Sequence, residues 1–307
     1  MNQQYQGILK GKKVALLSGG PGSERDVSLR SGAAVAKALE TVGAHVVEID
    51  VRGPDFSVPD GTDLAFNLIH GTFGEDGQLQ GILDELGIPY TGENAAKSRI
   101  AFDKILTKEA FDRAGVPTSK WEKLQLGQHP TIPAPCVVKA PRQGSSVGVH
   151  VLHNSTGIAA ALEDCFRFGD EVLVETFFKG RELTVGILGD LALPVVEIVP
   201  KDGFYDYSNK YTSGASQYFV PAALDEAIAS SVRETALSAA RALELEVYSR
   251  VDILLGPDGS MSVLEINTIP GMTELSLLPK AAAAVGLGFG PLCEEIAGLS
   301  LAKGGQA

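Results

Sequence analysis

This 307-residue sequence has few cysteines, no long apolar run and no excess of basic residues. Its three cysteines, Cys136, Cys165 and Cys293, are widely separated and odd in number, which argues against a disulfide framework or a zinc knuckle. No apolar run approaches the ~18 residues of a membrane span, and the first residues lack the pattern of a secretory signal. With 26 basic and 38 acidic residues, the net charge of -12 disfavours nucleic acid or an anionic membrane as the main partner. We therefore expect a cytoplasmic protein with neither as a partner.

Two apolar, β-branched segments near the C-terminus flank a Gly-Pro-Asp-Gly turn and predict a β-hairpin. With Gly256 to Gly259 as the loop, the strands pair Leu255 with Ser260, Arg250 with Glu265, and Asp252 with Val263. Alternation then gives one face the polar residues Arg250, Asp252, Glu265 and Asn267. It gives the other face the apolar residues Val251, Ile253, Leu264 and Ile266.

Two carboxylates and a carboxamide on one strand face supply only oxygen ligands. Such a ligand set favours Mg²⁺ or Mn²⁺ over zinc. A solvated face with a cross-strand Arg250–Glu265 pair fits the same spacing. The turn from Thr268 to Met272 favours the metal site, because Gly271 lets a backbone N–H approach a ligand closely.

The N-terminal hundred residues alternate strand, helix and strand, which predicts a parallel sheet with ligands at the carboxyl ends of its strands. The glycine turn after the first strand is not a dinucleotide motif, because Arg25 stands where G-x-G-x-x-G needs glycine. Glu24 in this turn suits a substrate ammonium, although an acid that stabilises the helix dipole fits equally well. His70 ends the third predicted strand on the ligand side, where a structural role is its main alternative.

The middle of the chain carries a lysine, Lys139, inside an apolar strand, after a helix predicted from Ser98 to Ala114. The glycine- and serine-rich loop 141–148 follows and offers N–H groups and hydroxyls to phosphates, although such loops often only turn. Glu171 to Phe178 reads as a strand that runs into an extended segment beside an adenine ring, with a core strand as the alternative. The aromatic, aperiodic stretch 204–214 is typical of a functional loop.

Taken together and in order, these motifs resemble the ATP-grasp superfamily and, within it, the D-alanine–D-alanine ligase family. The resemblance runs from about Val14 to Leu278. It is carried by Gly22 to Ser28, His70 to Gly77, Lys139 with Gly144 to Gly148, Tyr205 to Tyr211, Arg250 to Asp252, and Glu265 to Thr273. The sequence departs from the family where Lys139-Ala140-Pro141 replaces the commoner Lys-Pro, and where Ile269 replaces a frequent serine.

The resemblance implies an α/β (α+β) fold with a three-domain ATP-grasp architecture. Residues 1–96 would form an N-terminal Rossmann-like domain with a parallel sheet, 97–184 a central ATP-grasp domain, and 185–307 a C-terminal ATP-grasp catalytic domain. ATP would lie between the two antiparallel sheets of the second and third domains. The resemblance also implies a homodimer whose small-molecule substrates are ATP and D-alanine.

Site residues follow from the resemblance position by position. Two Mg²⁺ or Mn²⁺ ions would be held by Asp252, Glu265 and Asn267. ATP would be bound by Lys104, Lys139, Ser146, Glu175, Phe177, Phe178 and Glu182. D-Alanine would be bound by Glu24, His70, Lys210, Ser276 and Leu277. Catalysis would depend on Glu24, Ser145, Tyr211, Arg250 and the Gly271 N–H, of which the first three would form a hydrogen-bonded triad.

The implied reaction makes D-alanyl-D-alanine for peptidoglycan synthesis through a D-alanyl phosphate. Tyr211 favours the dipeptide, because similar proteins that make D-alanyl-D-lactate lack that tyrosine. Another ATP-grasp carboxylate–amine ligase, with D-lactate or D-serine as acceptor, is the nearest alternative. A non-catalytic nucleotide-binding module is a more distant one, because the metal ligands and phosphate lysines that such a module would lose are present.

Overall fold

The computed structural model describes residues 4–200 and 216–304, and these residues form one parallel and two antiparallel β-sheets with helices packed on them. The predicted α/β fold class is therefore confirmed. Within the described residues, no helix is both long enough and apolar enough to cross a membrane.

The parallel sheet lies at the N-terminus and has the strand order β2-β1-β3. Its elements are β1 (Lys13–Gly19), α1 (Arg25–Thr41), β2 (His45–Val51), β3 (Leu64–Asn67) and α2 (Gln78–Glu85). β1 is covered on both faces, with Val14 and Leu16 in one apolar cluster and Ala15 and Leu17 in another. This two-sided burial is typical of the central strand of a parallel sheet. As predicted, Glu24 and His70 follow the carboxyl ends of two adjacent strands.

Two helices follow where the sequence predicted one. They are α3 (Ala95–Phe102) and α4 (Lys104–Ala114). The prediction of a continuous helix from Ser98 to Ala114 is wrong because Asp103 takes an extended conformation, with φ -87° and ψ 108°, and caps α4. Its carboxylate accepts hydrogen bonds from the N–H groups of Ile105 and Leu106, which would otherwise lack partners. The break makes Lys104 the first residue of α4.

The central sheet is antiparallel, with the order β4-β7-β5-β6. Its elements are β4 (Trp121–Gln125), β5 (Cys136–Lys139), β6 (Val149–Leu152), α5 (Ile158–Cys165) and β7 (Glu171–Thr176). β4 was not predicted from the sequence. The glycine- and serine-rich loop connects β5 to β6, so it lies at the end of the sheet that carries Lys139.

The C-terminal sheet is also antiparallel, with the order β11-β10-β8-β12-β13 and β9 paired to β8. Its elements are β8 (Arg181–Leu188), β9 (Leu191–Ala192), β10 (Val196–Pro200), β11 (Ser216–Phe219), α6 (Glu226–Ala242), β12 (Tyr248–Leu255) and β13 (Met261–Asn267), followed by α7 (Leu277–Ala283) and α8 (Phe289–Gly304). The predicted domain boundary between residues 184 and 185 falls inside β8. The last helices return to the N-terminal unit, where Leu278 and Ile296 share an apolar core with Val35 and Leu39.

The β12–β13 hairpin differs from its predicted register. The observed partners are Leu255 with Met261, Asp252 with Glu265, and Arg250 with Asn267, so the three predicted pairs are wrong. The loop has one residue more than expected, because the Gly256 N–H bonds to the Ser260 carbonyl at 2.8 Å. A register shift beside Asp252 then leaves Leu264 without a partner, and this bulge restores the alternation beyond it.

The bulge exchanges two apolar side chains between the faces of β13. Val263 is fully buried in the core, whereas Leu264, which was predicted to lie there, lines the cleft. The predicted polar face is kept, since Arg250, Asp252, Glu265 and Asn267 all line cavities on the cleft side.

Candidate active site

Two cavities adjoin in the cleft between the three sheets. The larger, of about 480 Å³, lies between the N-terminal unit, the loop 141–148 and the segment after β13. The smaller, of about 110 Å³, lies between the central and C-terminal sheets. Lys104, Gln143 and Glu265 line both cavities, so a ligand in one can meet a ligand in the other at these side chains.

The smaller cavity combines an apolar lining with charged groups. The apolar side chains include Val137, Val149, Leu254 and Leu264. All the residues predicted to bind ATP line this cavity: Lys104, Lys139, Ser146, Glu175, Phe177, Phe178 and Glu182. An apolar slot with cations beside it suits a flat base attached to a phosphate chain.

Glu175 is buried between two lysines on the floor of this cavity. It forms ion pairs with Lys139 and with Lys108, and only 2% of it is exposed. Burial alone would raise the pKa of Glu175, but the charges of Lys139 and Lys108 outweigh it and lower the pKa to about 2. Glu175 is therefore a carboxylate at neutral pH.

Lys108 is a site residue to which the sequence analysis gave no role. It is fully buried, and besides Glu175 it donates to the Thr118 hydroxyl and, at 3.4 Å, to the Val263 carbonyl. Burial lowers its pKa more strongly than the Glu175 charge raises it. The available signal was its position four residues after Lys104, which places both lysines on the same helix face.

The predicted metal ligands lie on neighbouring strands and present only oxygen donors. Asp252 lies opposite Glu265, with Asn267 two residues further along β13. Glu265 lies 3.2 Å from the Lys104 ammonium, and the Asn267 side-chain oxygen accepts a hydrogen bond from the Ile269 N–H. Among the described residues, no three His, Cys, Asp or Glu side chains form a metal-binding cluster, and the donors gathered here are two carboxylates and the Asn267 amide. Such a donor set fits Mg²⁺ or Mn²⁺.

Arg250 compensates the charge of Asp252 in this structure. The guanidinium donates to both Asp252 oxygens, at 2.9 and 2.8 Å, and the Thr184 hydroxyl adds a third bond at 2.6 Å. A cation that binds Asp252 therefore competes with Arg250 for the same carboxylate.

Glu24 and Ser145 meet in the larger cavity, where the Ser145 hydroxyl donates to the Glu24 carboxylate. Ser145 and Ser146 both have left-handed backbone conformations, with φ of 50° and 62°, which are uncommon outside glycine. This turn directs Ser145 to the larger cavity and Ser146 to the smaller one. A Cβ on Gly144 would lie 2.6 Å from a Glu24 carboxylate oxygen, so a side chain there would displace the Glu24 carboxylate.

His70 is buried beside the same cavity and is held at both ring nitrogens. Nδ1 lies 2.8 Å from the Ile269 carbonyl, and Nε2 lies 3.3 Å from the Ser31 hydroxyl. Glu75 lies 3.7 Å from Nδ1. Burial by itself lowers the pKa of His70, but the hydrogen bond and charge of Glu75, with the charge of Glu24, produce a net increase. Burial also raises the pKa of Glu75.

Glu75 received no role in the sequence analysis, although it lies in the motif that begins at His70. A carboxyl five residues away from a histidine has no periodicity that would pair the two side chains. The loop after β3 brings them together.

Gly271, Ser276 and Leu277 line the opposite wall of the larger cavity. The Ser276 hydroxyl accepts a hydrogen bond of 3.1 Å from the Thr273 N–H, and Ser276 precedes the first turn of α7. A Cβ on Gly271 would lie 3.1 Å from the Ser276 hydroxyl, so these two residues are neighbours. Lys210 and Tyr211 lie outside the described residues.

Known proteins resemble this chain in both sequence and overall fold. The family model described as D-ala D-ala ligase C-terminus matches residues 109–297, and the corresponding N-terminus model matches residues 55–93. The chain is 47% identical to the D-alanine–D-alanine ligase of Methylacidiphilum infernorum, over 94% of this chain and 95% of the relative. It is 46% identical to that of Citrifermentans bemidjiense, over 94% and 96%.

Solved structures resemble the whole fold. The D-alanine–D-alanine ligase from Bacillus anthracis complexed with ATP has a TM-score of 0.85 and 32% identity, covering 97% of this chain and 99% of that one. The VanG D-Ala:D-Ser ligase from Enterococcus faecalis has a TM-score of 0.84 and 28% identity, covering 95% and 100%. Proteins named for different acceptors thus share this architecture, so the fold alone does not select the acceptor.

Proposed function

The chain belongs to the D-alanine–D-alanine ligase family, and on that basis we propose that it joins two D-alanine molecules while ATP is cleaved to ADP and phosphate. The product, D-alanyl-D-alanine, is a building block of peptidoglycan. One observation carries the proposal for this chain: the cavity with the nucleotide-binding pattern opens into the cavity with Glu24 and Ser276 at Lys104 and Glu265. A phosphoryl group and an amino-acid carboxylate would meet there.

In the first step, a carboxylate oxygen of the first D-alanine attacks the γ-phosphorus of ATP, and ADP leaves. Phosphoryl transfer depends mainly on positioning and on neutralisation of charge. Lys104 and Lys139 would contact the phosphates and Ser146 would cover the γ-phosphate. The base and ribose would lie against Glu175, Phe177, Phe178 and Glu182.

Divalent cations complete the nucleotide site in this proposal. Two Mg²⁺ or Mn²⁺ ions, held by Asp252, Glu265 and Asn267, would neutralise charge on the transferring phosphoryl group. Arg250, which pairs with Asp252 in this structure, lines the larger cavity and would lie near the reacting carbonyl group.

In the second step, the amine of the second D-alanine attacks the acyl phosphate carbon, and phosphate leaves. Arg250 and the Gly271 N–H would stabilise the tetrahedral oxyanion, at about 3–4 kcal/mol for a well-placed donor. Glu24 would bind the ammonium of the first D-alanine, beside His70. Ser276, Leu277 and Lys210 would bind the second D-alanine. Tyr211 would complete the triad with Glu24 and Ser145.

The direct test measures products. Purified protein with ATP, Mg²⁺ and D-alanine is expected to release ADP and phosphate and to form the dipeptide, detected by mass spectrometry. D-Lactate and D-serine are supplied as competing acceptors between about pH 7 and about pH 9, since acceptor amines differ from hydroxyls in their protonation. A higher rate with D-lactate than with D-alanine would refute the proposed acceptor.

D-Serine is the second candidate acceptor, because the chain also resembles a D-Ala:D-Ser ligase over 95% of its length.

We further propose that the enzyme acts as a cytoplasmic homodimer, as the family resemblance implies. Light scattering during size-exclusion chromatography would give twice the chain mass of 32.2 kDa for a homodimer. A mass equal to that of one chain would refute the homodimer.

A further inference from the structure

Lys280 lines the larger cavity but has no role in the mechanism above. It lies on α7 one helical turn after Ser276, and its backbone N–H bonds to the Ser276 carbonyl at 3.0 Å. Residues four apart lie on the same face of a helix. Lys280 therefore extends the wall that begins at Gly271 and Ser276.

The other cations of this wall are compensated by carboxylates. Lys104 lies 3.2 Å from Glu265, and Arg250 pairs with Asp252. Lys280, in contrast, forms no ion pair with any residue in 4–200 or 216–304. Its ammonium lies 4.5 Å from the centre of the Tyr218 ring, which also lines the cavity.

An aromatic face holds an ammonium in place without neutralising it. Lys280 is only partly exposed, and burial lowers its pKa, as expected for a cation that loses water without gaining an anion. An anionic ligand at this position would supply the missing compensation. Arg30 also lines the cavity without an ion pair to a described residue, but its side chain is exposed on α1.

We propose that Lys280 binds the carboxylate of the acceptor amino acid, beside Ser276, and so helps to select the second substrate. The inference rests on the proposed function, because only a ligase of this kind has an acceptor. The order along the wall fits it: the amine would attack near Gly271 and Arg250, and the carboxylate would extend past Ser276 towards Lys280. Lys280 acts in this view on affinity for the acceptor and not on phosphoryl transfer.

The alternative is a purely structural role, in which Lys280 only packs α7 against β11 through its contact with the Tyr218 ring. That role would change stability, and every substrate would then be affected alike. A carboxylate-binding role changes one Michaelis constant and leaves the others.

The test compares Lys280→Met with Lys280→Arg and with wild type in initial-rate assays. D-Alanine saturates two sites in sequence, so its Michaelis constant is obtained separately for the first and second molecule. Loss of a hydrogen bond to a charged group predicts a rise of about 10- to 100-fold in the constant for the second molecule in Lys280→Met. The constants for ATP and for the first molecule are expected to stay near wild type, and Lys280→Arg is expected to retain most of the acceptor affinity.

D-Alaninamide provides a sharper readout, because it has the acceptor amine but no carboxylate. It cannot be phosphorylated and so serves as acceptor only, and its product is distinguished by mass. Lys280→Met should lower kcat/KM for D-alanine and leave kcat/KM for D-alaninamide unchanged. An equal loss with both acceptors would overturn the inference.

Three further variants separate the alternatives. Lys37→Met removes an exposed lysine of α1 and is expected to behave as wild type. Tyr218→Phe keeps the ring under Lys280 and should leave the Michaelis constant for the second D-alanine unchanged. If Arg30→Met raised that constant more than Lys280→Met does, the assignment to Lys280 would be overturned. Wild-type protein that forms no dipeptide would refute the proposed function itself, whereas an active wild type with an unaffected Lys280→Met refutes only the role of Lys280.

Discussion

Glu24 accepts a hydrogen bond from the Ser145 hydroxyl, and this contact joins two segments that are 121 residues apart in the sequence. It fastens the glycine- and serine-rich loop to the N-terminal unit across the larger cavity. The neighbouring Ser146 faces the smaller cavity. Two adjacent serines of one loop therefore line two different cavities.

Ser145→Ala is expected to lower kcat/KM for the first D-alanine by about 10- to 100-fold, the usual value of a hydrogen bond to a charged group. Ser146→Ala is the matched control and should raise the Michaelis constant for ATP instead. Initial rates with each substrate varied in turn measure both effects. If the two variants lose the same substrate, the division of the loop between two cavities is wrong.

Glu265→Gln is expected to reduce turnover by at least about 100-fold, because it removes a charged oxygen donor opposite Asp252. The melting temperature should change little, since the side chain is 32% exposed at the cleft. ADP release measured over a range of Mg²⁺ concentrations tests the first point and thermal denaturation the second. Glu226→Gln, at an exposed helix start, is the control. A fall in melting temperature as large as that of a core deletion would favour a purely structural hairpin.

Glu75→Gln is expected to lower the pKa of His70, because burial then acts on the imidazole without the opposing Glu75 charge. In the wild type the raised pKa gives a stabilisation that is fully present below the ordinary value of 6.5 and is lost as pH rises through the folded pKa. From about pH 6 to about pH 9, the free energy of unfolding of the wild type should therefore fall relative to that of Glu75→Gln.

Proton NMR of the histidine rings measures the titration directly, since the chain has only five histidines. His70→Asn assigns the resonance. An unchanged His70 titration in Glu75→Gln would show that Glu75 does not hold the imidazolium.

Lys108→Met and Lys139→Met each remove one of the two cations that compensate Glu175. Breaking a buried ion pair costs about 3–5 kcal/mol of stability, and Lys108, which is fully buried, should show the larger loss. Lys139 lines the smaller cavity, where ATP is proposed to bind, and Lys108 does not. Lys139→Met should therefore raise the Michaelis constant for ATP at least about tenfold more than Lys108→Met does. Lys123→Met, at a largely exposed lysine, controls for the loss of charge. Equal ATP constants in the two variants would contradict this division of roles.

Tyr211→Phe is expected to leave folding intact and to weaken the discrimination between D-alanine and other acceptors. The prediction comes from the family resemblance alone, because Tyr211 lies outside the described residues. Competition between D-alanine and D-lactate, with both products quantified, tests it. Unchanged discrimination would remove Tyr211 from the specificity site.

The strands that were predicted well are those with a local run of apolar residues, because such a run by itself favours a buried strand. β7 begins at Glu171, as predicted, and the predicted apolar strand that contains Lys139 is β5. The register of β12 against β13 was not predictable in the same way. It depends on one hydrogen bond across the Gly256–Ser260 loop and on the bulge at Leu264, and neither has a pattern in the residue types.

The sequence by itself determined which chemical groups the site contains: the oxygen donors of the hairpin, the lysine inside the strand before the glycine- and serine-rich loop, and the hydroxyls of that loop. The tertiary structure alone decided which groups compensate one another. Lys108 and Lys139 enclose Glu175, Arg250 neutralises Asp252, and Glu75 lies beside His70. Lys280 lies over the Tyr218 ring and forms no ion pair with the residues that the structure describes. The physical reason is that electrostatic compensation depends on distance and burial in space, and most of these partners come from different elements of the fold.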